Sequence, residues 1–235
     1  MVWFKAKARR FDRVAKKYLL SSGFQFTDTQ HFSQVPVSGS ALENLPAYRP
    51  LLVLDLDETL WHGIPDPPVS EGHRFLVRPY LESFLEAVAD HYDLAVWTAA
   101  SEDWMRAGLR VIAFETQFDL AGRAFFLWHR DRCTWRRTEE GEGELRKPAR
   151  KFRARWVCAR YPAHWILVVD DLASNDLCGS GHLVRVGMWT GDQEDDELRA
   201  LAAYLTAIVH EPDLRQLEKR HWRSTIPRNA NALHD

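Results

Sequence analysis

Leu51-Leu52-Val53-Leu54-Asp55-Leu56-Asp57-Glu58-Thr59-Leu60 decides how the chain is read. Four consecutive apolar residues, opened by Pro50 and closed by an acid, have the length and continuity of a strand covered on both faces. Leu94-Ala95-Val96-Trp97 is a second such run, and Trp165-Ile166-Leu167-Val168-Val169 is the strongest of the later ones. Residues 74–77 and 124–128 read as further strands. Between these runs, positions 79–90 repeat apolar side chains at helical spacing (Leu81, Phe84, Leu85, Val88), with Pro79 suited to a first helical turn. Residues 102–113 and 198–209 also read as helices. The acids ahead of the last one (Asp192, Glu194, Asp195, Asp196, Glu197) lack the glycine and ligand spacing of a calcium loop and suit the positive end of a helix. Strands alternating with helices predict an α/β fold with a mostly parallel sheet and helices on both faces.

In an open parallel sheet, ligands gather beyond the carboxyl ends of the strands. The residues there are Asp55, Asp57 and Thr59 after the first run, Thr98 and Ser101 after the second, and Asp170 and Asp171 after the later one. A lone Asp-x-Asp is weak, because Asp is common in turns. Carboxylates behind two separate buried strands are a stronger signal. Brought together, they repel one another and stay ionised only with a cation or a shared proton. Mg²⁺ suits such a site, since it takes one or two carboxylates, keeps several waters and accepts a substrate phosphate oxygen. One carboxylate then has the chemistry of a nucleophile toward phosphorus, and a second that of an acid and base.

Composition restricts the alternatives. The chain has 235 residues, 46% apolar and 27% charged, with a net charge of −2, as expected of a soluble protein of one or at most two domains. No apolar run is long enough to span a bilayer, and the N-terminal stretch has no signal-peptide pattern. Cys133, Cys158 and Cys178 are scattered and form no Cys-x-x-Cys pair, which favours a reducing cytoplasm, or a nucleus if the source is eukaryotic. None lies in a His-Cys-x₅-Arg loop, so a cysteine phosphatase is disfavoured. Residues 1–49 read as a basic amphipathic helix at 3–20 and an extended arm, 50–210 as the α/β domain, and 211–235 as a C-terminal helix and tail. The basic segment suits either a solvated helix docked by one face or contact with an anionic partner.

The motifs resemble those of the haloacid-dehalogenase superfamily. Asp55-Leu56-Asp57-Glu58-Thr59 is similar to its first motif, Val96-Trp97-Thr98-Ala99 to its second, and Val168-Val169-Asp170-Asp171 to its fourth. The third-motif lysine is assigned to Lys147, with Lys151 as the alternative. His62 after the first motif, Val77-Arg78-Pro79, and Val96-Trp97-Thr98-Ala99-Ala100-Ser101 resemble the FCP/SCP-like (NLI-interacting-factor-like) phosphatase branch over about residues 50–210. The resemblance implies a Rossmann-like phosphatase domain and an aspartyl-phosphate mechanism. Asp55 is then the nucleophile and a metal ligand, and Asp57 the acid/base, touching Mg²⁺ through its backbone carbonyl. Asp171 completes the protein ligands, with Asp170 in support. Thr98 and Lys147 hold phosphoryl oxygens, and Arg130, Trp104 and Thr59 face the substrate.

The gaps between motifs bear on the substrate. Between Asp57 and Thr98 there is room for a short flap (Pro65, Pro67, Pro68), a strand and a helix; between Thr98 and Lys147, for a helix, a strand and the charged loop 137–146. Neither holds a folded cap, so the site is expected to be open to a macromolecular phosphate, most simply a phosphoserine or phosphothreonine protein. The competing readings are a polynucleotide 3′-phosphatase, a small-phosphoester phosphatase, and a non-catalytic phosphate-binding or interaction protein on the same fold. Oligomeric state is not legible from the sequence.

Overall fold

The computed structural model describes residues 49–64, 74–137, 143–172 and 181–226. The basic segment, the arm up to residue 48, the flap prolines, residues 138–142 of the charged loop and the tail from 227 lie outside the described residues.

Strand β1 (Leu51–Leu54) leads into a hairpin of β2 (Trp61–Ile64) and β3 (Arg74–Val77), then helix α1 (Leu81–Ala89), β4 (Asp93–Trp97), helix α2 (Glu102–Thr116), the single-turn α3 (Leu120–Arg123) and β5 (Leu127–Trp128). A 3-10 turn (Arg130–Arg132) precedes a second hairpin, β6 (Thr134–Arg137) and β7 (Gly143–Arg146), and a 3-10 segment (Ala149–Arg153) and α4 (Arg155–Cys158) follow it. The chain closes with β8 (Ile166–Asp170), β9 (Leu183–Arg185), helix α5 (Glu197–Ile208) and a 3-10 turn (Trp222–Thr225).

The main sheet has the order β5-β4-β1-β8-β9, and every neighbouring pair is parallel. From central β1 the chain builds outward through β4 and β5, then returns to the other side for β8 and β9. The reversal leaves a crevice at the carboxyl end of β1, where such sheets bind ligands. Register makes the ends level: Leu54 pairs with Val96 on one side and Val169 on the other.

All four β1 residues are fully buried, and their side chains alternate between two cores, as the strand period requires. Leu52 and Leu54 join Leu94, Val96, Leu167 and Val169 against Phe84, Leu85 and Val88 of α1 and Leu201 and Leu205 of α5. Leu51 and Val53 join Ala95, Trp97, Ile166 and Val168 under Phe126, Trp128, Phe152, Val157 and Tyr161. The second face is thus covered by short helical segments and stacked aromatics rather than by long helices. Phe126 lies 4.0 Å from Trp128 between ring centroids, and Trp97 meets Trp128 edge-on at 5.0 Å. Burying each aliphatic side chain contributes about 2 kcal/mol, so these two layers hold the sheet that sets the site.

Several boundaries differ from expectation. Helix α1 begins at Leu81 because Tyr80 adopts a left-handed φ of 62°, so Pro79 lies before the first turn. The regular part of β5 is only two residues long, although Phe125 N–H already donates to Leu94 O at 2.7 Å. In 211–226 the helical element is a 3-10 turn, and the segment is anchored by buried Leu214 and Trp222. The acidic run does more than face the α5 dipole. Asp195 accepts a bidentate pair from buried Arg78, whose Nη1 also donates to Thr59 O and Gly187 O at 3.1 Å each.

Candidate active site

The turn after β1 is tightly closed. Leu56 O accepts from the backbone N–H groups of Thr59, Leu60 and Trp61, and Glu58 sits at a left-handed φ of 59°. A non-glycine residue there costs about 1–3 kcal/mol unless its neighbours fix it. Here Glu58 N–H donates to Trp61 O at 2.7 Å, and Glu58 O accepts from Trp189 N–H at 2.8 Å. With Asp55 N–H bonded to Val169 O at 2.9 Å, both Asp55 and Asp57 have a defined position at the strand ends.

Lys147 stands between two of the acids. Its Nζ lies 2.6 Å from Asp55 Oδ1 and 2.7 Å from Asp170 Oδ2, and all three groups are buried. Lys151 lies in the following 3-10 segment, so Lys147 is the lysine at the carboxylates. Burial works to lower the Lys147 ammonium, but Asp170 and Asp55 overcome it and hold the group above its ordinary range. Burial, aided by the charges of Asp170 and Asp171, pushes the Asp55 carboxyl well up against the pull of Lys147. Burial and Asp170 push Asp171 up to about 7. Carboxyl oxygens of Asp55, Asp170 and Asp171 lie within 4.8 Å of one another.

Asp57 is held apart from this cluster. Its Oδ1 accepts from two indoles, Trp104 Nε1 at 2.6 Å and Trp61 Nε1 at 3.1 Å, and its Oδ2 accepts from Thr98 Oγ1 at 3.1 Å. Thr98 Oγ1 in turn accepts from Ala100 N–H at 3.0 Å. The site thus joins a buried acid-lysine cluster to a separate, half-buried carboxylate two residues beyond Asp55.

The sequence model of the NLI interacting factor-like phosphatase family matches residues 50–215. The chain belongs to this family. The ubiquitin-like domain-containing CTD phosphatase 1 proteins of Xenopus tropicalis and Drosophila melanogaster are each 28% identical to it, over 178 and 186 residues. Those matches cover 74% and 77% of this chain and 54% and 56% of the relatives, so the chain spans about half the length of the relatives it matches. A solved structure of fission yeast RNA polymerase II CTD phosphatase Fcp1 bound to beryllium fluoride is 15% identical, with a TM-score of 0.43, over 76% of this chain and 50% of that one.

Within this NLI interacting factor-like domain, the cluster fits a divalent cation. Three carboxylates meet one ammonium, and burial together with the neighbouring acids displaces Asp55 and Asp171 upward, an effect that a bound cation would oppose. Oxygen-only donors suit a hard cation. Asp55, Asp170 and Asp171 each offer a carboxylate oxygen close enough to the others that the three could hold it.

Other expected residues occupy different roles in the geometry. Trp104 does not line an open pocket: it is 2% exposed and spends its indole N–H on Asp57. Thr59 is fully buried and donates to Asp171 Oδ1 at 3.4 Å, which removes it from a substrate-facing position. Thr98 is also fully buried and reaches Asp57. Arg130 opens the 3-10 turn after β5, its N–H bonded to Ala100 O in the loop that carries Thr98. Cys133 points at the same loop, Sγ 3.7 Å from Thr98 O, and burial pushes its thiol up to about 11. A thiol so displaced stays protonated at neutral pH, the opposite of an activated nucleophile. Trp61 and Arg78 are contributors that the motif reading left without a role. Trp61 lies two residues beyond the first motif, and Arg78 carries only a family resemblance in the sequence.

Proposed function

We propose that the chain is a Mg²⁺-dependent phosphatase that hydrolyses phosphate monoesters through an aspartyl phosphate on Asp55, acting on a phosphoserine or phosphothreonine protein. The carrying observation is the Lys147 bridge between Asp55 and Asp170 beside Asp171, with Asp57 held separately two residues on. When bound, Mg²⁺ supplies positive charge that offsets the repulsion between a phosphate and the carboxylate approaching it. Asp55 attacks phosphorus and the ester oxygen leaves with a proton from Asp57. Asp57, now a base, takes a proton from the water that cleaves the acyl phosphate and frees Asp55. Lys147 keeps Asp55 oriented and offers an ammonium to the phosphoryl oxygens as their charge redistributes.

The family supports the reaction, and the names of the relatives support a protein substrate. Among the described residues, the insertions before β4 and before Lys147 form two-stranded hairpins with α1, α2 and α3, and neither contains a cap domain. That also favours a phosphate presented on a macromolecule. No helix among the described residues is long and apolar enough to cross a membrane.

Turnover of an aryl phosphate with and without Mg²⁺ tests the reaction, with Asp55→Asn as the control that must abolish it. Absence of Mg²⁺-dependent turnover in the folded protein sinks the proposal. A parallel screen of phosphopeptides, 3′-phosphorylated oligonucleotides and small phosphomonoesters tests the substrate. Phosphopeptides are expected to give the highest kcat/KM, and a strong preference for either other class would overturn the assignment.

A further inference from the structure

We propose that Trp61 and Trp104 are positioning residues for Asp57, their two indole N–H groups holding Oδ1 so that Oδ2 is the oxygen that carries the transferred proton. This rests on the phosphatase reading above and goes beyond it to the atom that acts.

An indole nitrogen donates and never accepts. Two of them on one carboxylate oxygen occupy the lone pairs that a proton would need, at 2.6 Å from Trp104 and 3.1 Å from Trp61. Oδ2 faces Thr98 instead, whose hydroxyl donates to it at 3.1 Å while accepting from Ala100 N–H. Among the described residues, one lone pair of Oδ2 is left to gain or lose a proton without breaking any of these bonds. Rotation about the last side-chain bond of Asp57 would exchange the oxygens, and the indole pair opposes it. Asp57 can then serve twice with the same oxygen, first as acid toward the leaving group and then as base toward water.

The arrangement is built from several elements. Trp61 opens β2 and Trp104 lies in the first turn of α2, and Phe75 of β3 packs against both, with centroids at 5.3 and 4.5 Å. Two missing side chains make the room. A Cβ on Gly63 would lie 2.5 Å from a ring carbon of Trp104, and a Cβ on Gly108 would lie 2.2 Å from one of Trp61. Buried tryptophans usually find some acceptor for the N–H, so satisfaction of the indoles alone is the competing explanation. It would make Asp57 a passive acceptor, and kinetics separate the two.

The experiment replaces Trp104 in the full chain with β-(3-benzothienyl)alanine, which keeps the ring shape and lacks the N–H, alongside Trp61→Phe and Trp104→Phe. Near-ultraviolet circular dichroism checks the fold. With Mg²⁺ present, kcat/KM is measured for phosphate monoesters whose leaving groups range from nitrophenol, which departs without a proton, to alkyl alcohols, which need one. Loss of correct orientation should lower kcat/KM by roughly 10- to 100-fold for the alcohols, short of the roughly 100- to 10,000-fold that complete loss of acid catalysis costs, and leave nitrophenyl phosphate within about twofold. An equal loss across the series, or no loss, overturns the inference while leaving the phosphatase reading intact. If the unmodified chain shows no turnover that Asp55→Asn abolishes, the phosphatase reading fails and takes this inference with it.

Discussion

Arg78 and Asp195 form a bidentate ion pair, Nε and Nη2 each 2.8 Å from a carboxylate oxygen, with the guanidinium only 1% exposed. The remaining nitrogen donates to Thr59 O and Gly187 O, so a single side chain ties the turn carrying Asp57 to the segment after β9. Removing one partner of a buried pair leaves an uncompensated charge, which typically costs about 3–5 kcal/mol. Asp195→Ala is therefore expected to destabilise the domain by roughly that amount in urea unfolding. Arg78→Lys is expected to lose most of the same energy, because an ammonium cannot reproduce the fork. A loss under about 1 kcal/mol for both would show that the pair is a surface-type contact.

His182 gives the fold a defined response to acid. The ring is 4% exposed, has Nδ1 2.8 Å from Ile166 O and packs edge-on against Phe152. Burial holds its pKa below the ordinary 6.5. The unfolded chain thus binds the proton more readily, and stability rises with pH in the window where only the unfolded imidazole is protonated. This contribution is complete above about 6.5 and is lost as pH falls through 6.5 toward the depressed folded value. Acids at the active site titrate with the opposite sign, so the useful quantity is a difference. The stability of the parent chain minus that of His182→Gln, by urea unfolding at fixed Mg²⁺, should shrink between pH 8 and pH 5. A constant difference would show that His182 does not carry this response.

The parts legible in the sequence are those with a local signature. The runs at 51–54, 94–97 and 165–169 stand out because strands covered on both faces need apolar residues at every position, and they end at Asp55, Thr98 and Asp170, which contribute to the site. The assignment of Lys147 over Lys151 rests on the resemblance rather than on pattern, since Lys147 follows a hairpin and precedes a 3-10 segment, neither of which has a strong period. The substrate-facing role of Trp104 rests on the family resemblance, while its position depends on an indole N–H meeting a residue far along the chain. Thr59 lies beside the reacting acids in sequence, yet the closed turn directs it inward to Asp171. Arg78 and Asp195 are 117 positions apart, and nothing in either local context announces the other.

Divalent cation binding should be visible in stability before any turnover is measured. A ligand that binds only the folded state at one hundred times its Kd stabilises by about 2.7 kcal/mol, or roughly 5–10 °C in Tm for a domain of this size. Mg²⁺ is expected to raise the Tm of the parent chain by that order, and of Asp171→Asn by much less. Without Mg²⁺, Asp171→Asn should be as stable as the parent or more so, because it removes one of three mutually repelling acids. Differential scanning fluorimetry with and without Mg²⁺ reads both effects. Equal Mg²⁺ shifts in the two proteins would exclude Asp171 as a ligand.

Gly108 sets two known effects against each other. It lies within α2, where exchanging glycine for alanine ordinarily gains about 1 kcal/mol. A methyl group there would sit 2.2 Å from one carbon of the Trp61 ring and 2.5 Å from two more. Trp61 is fully buried against Phe75 and bonded to Asp57, so the ring has little freedom to retreat. Overpacking typically costs about 1–3 kcal/mol, and contact with three ring atoms places this site toward the upper end. Gly108→Ala should therefore destabilise by about 1–2 kcal/mol net despite its better helix propensity. Displacement of Trp61 should also weaken its hold on Asp57, lowering kcat/KM for alkyl phosphates more than for nitrophenyl phosphate. If the variant is more stable than the parent, the indole yields easily, and the rigidity attributed to the Trp61 contact is wrong.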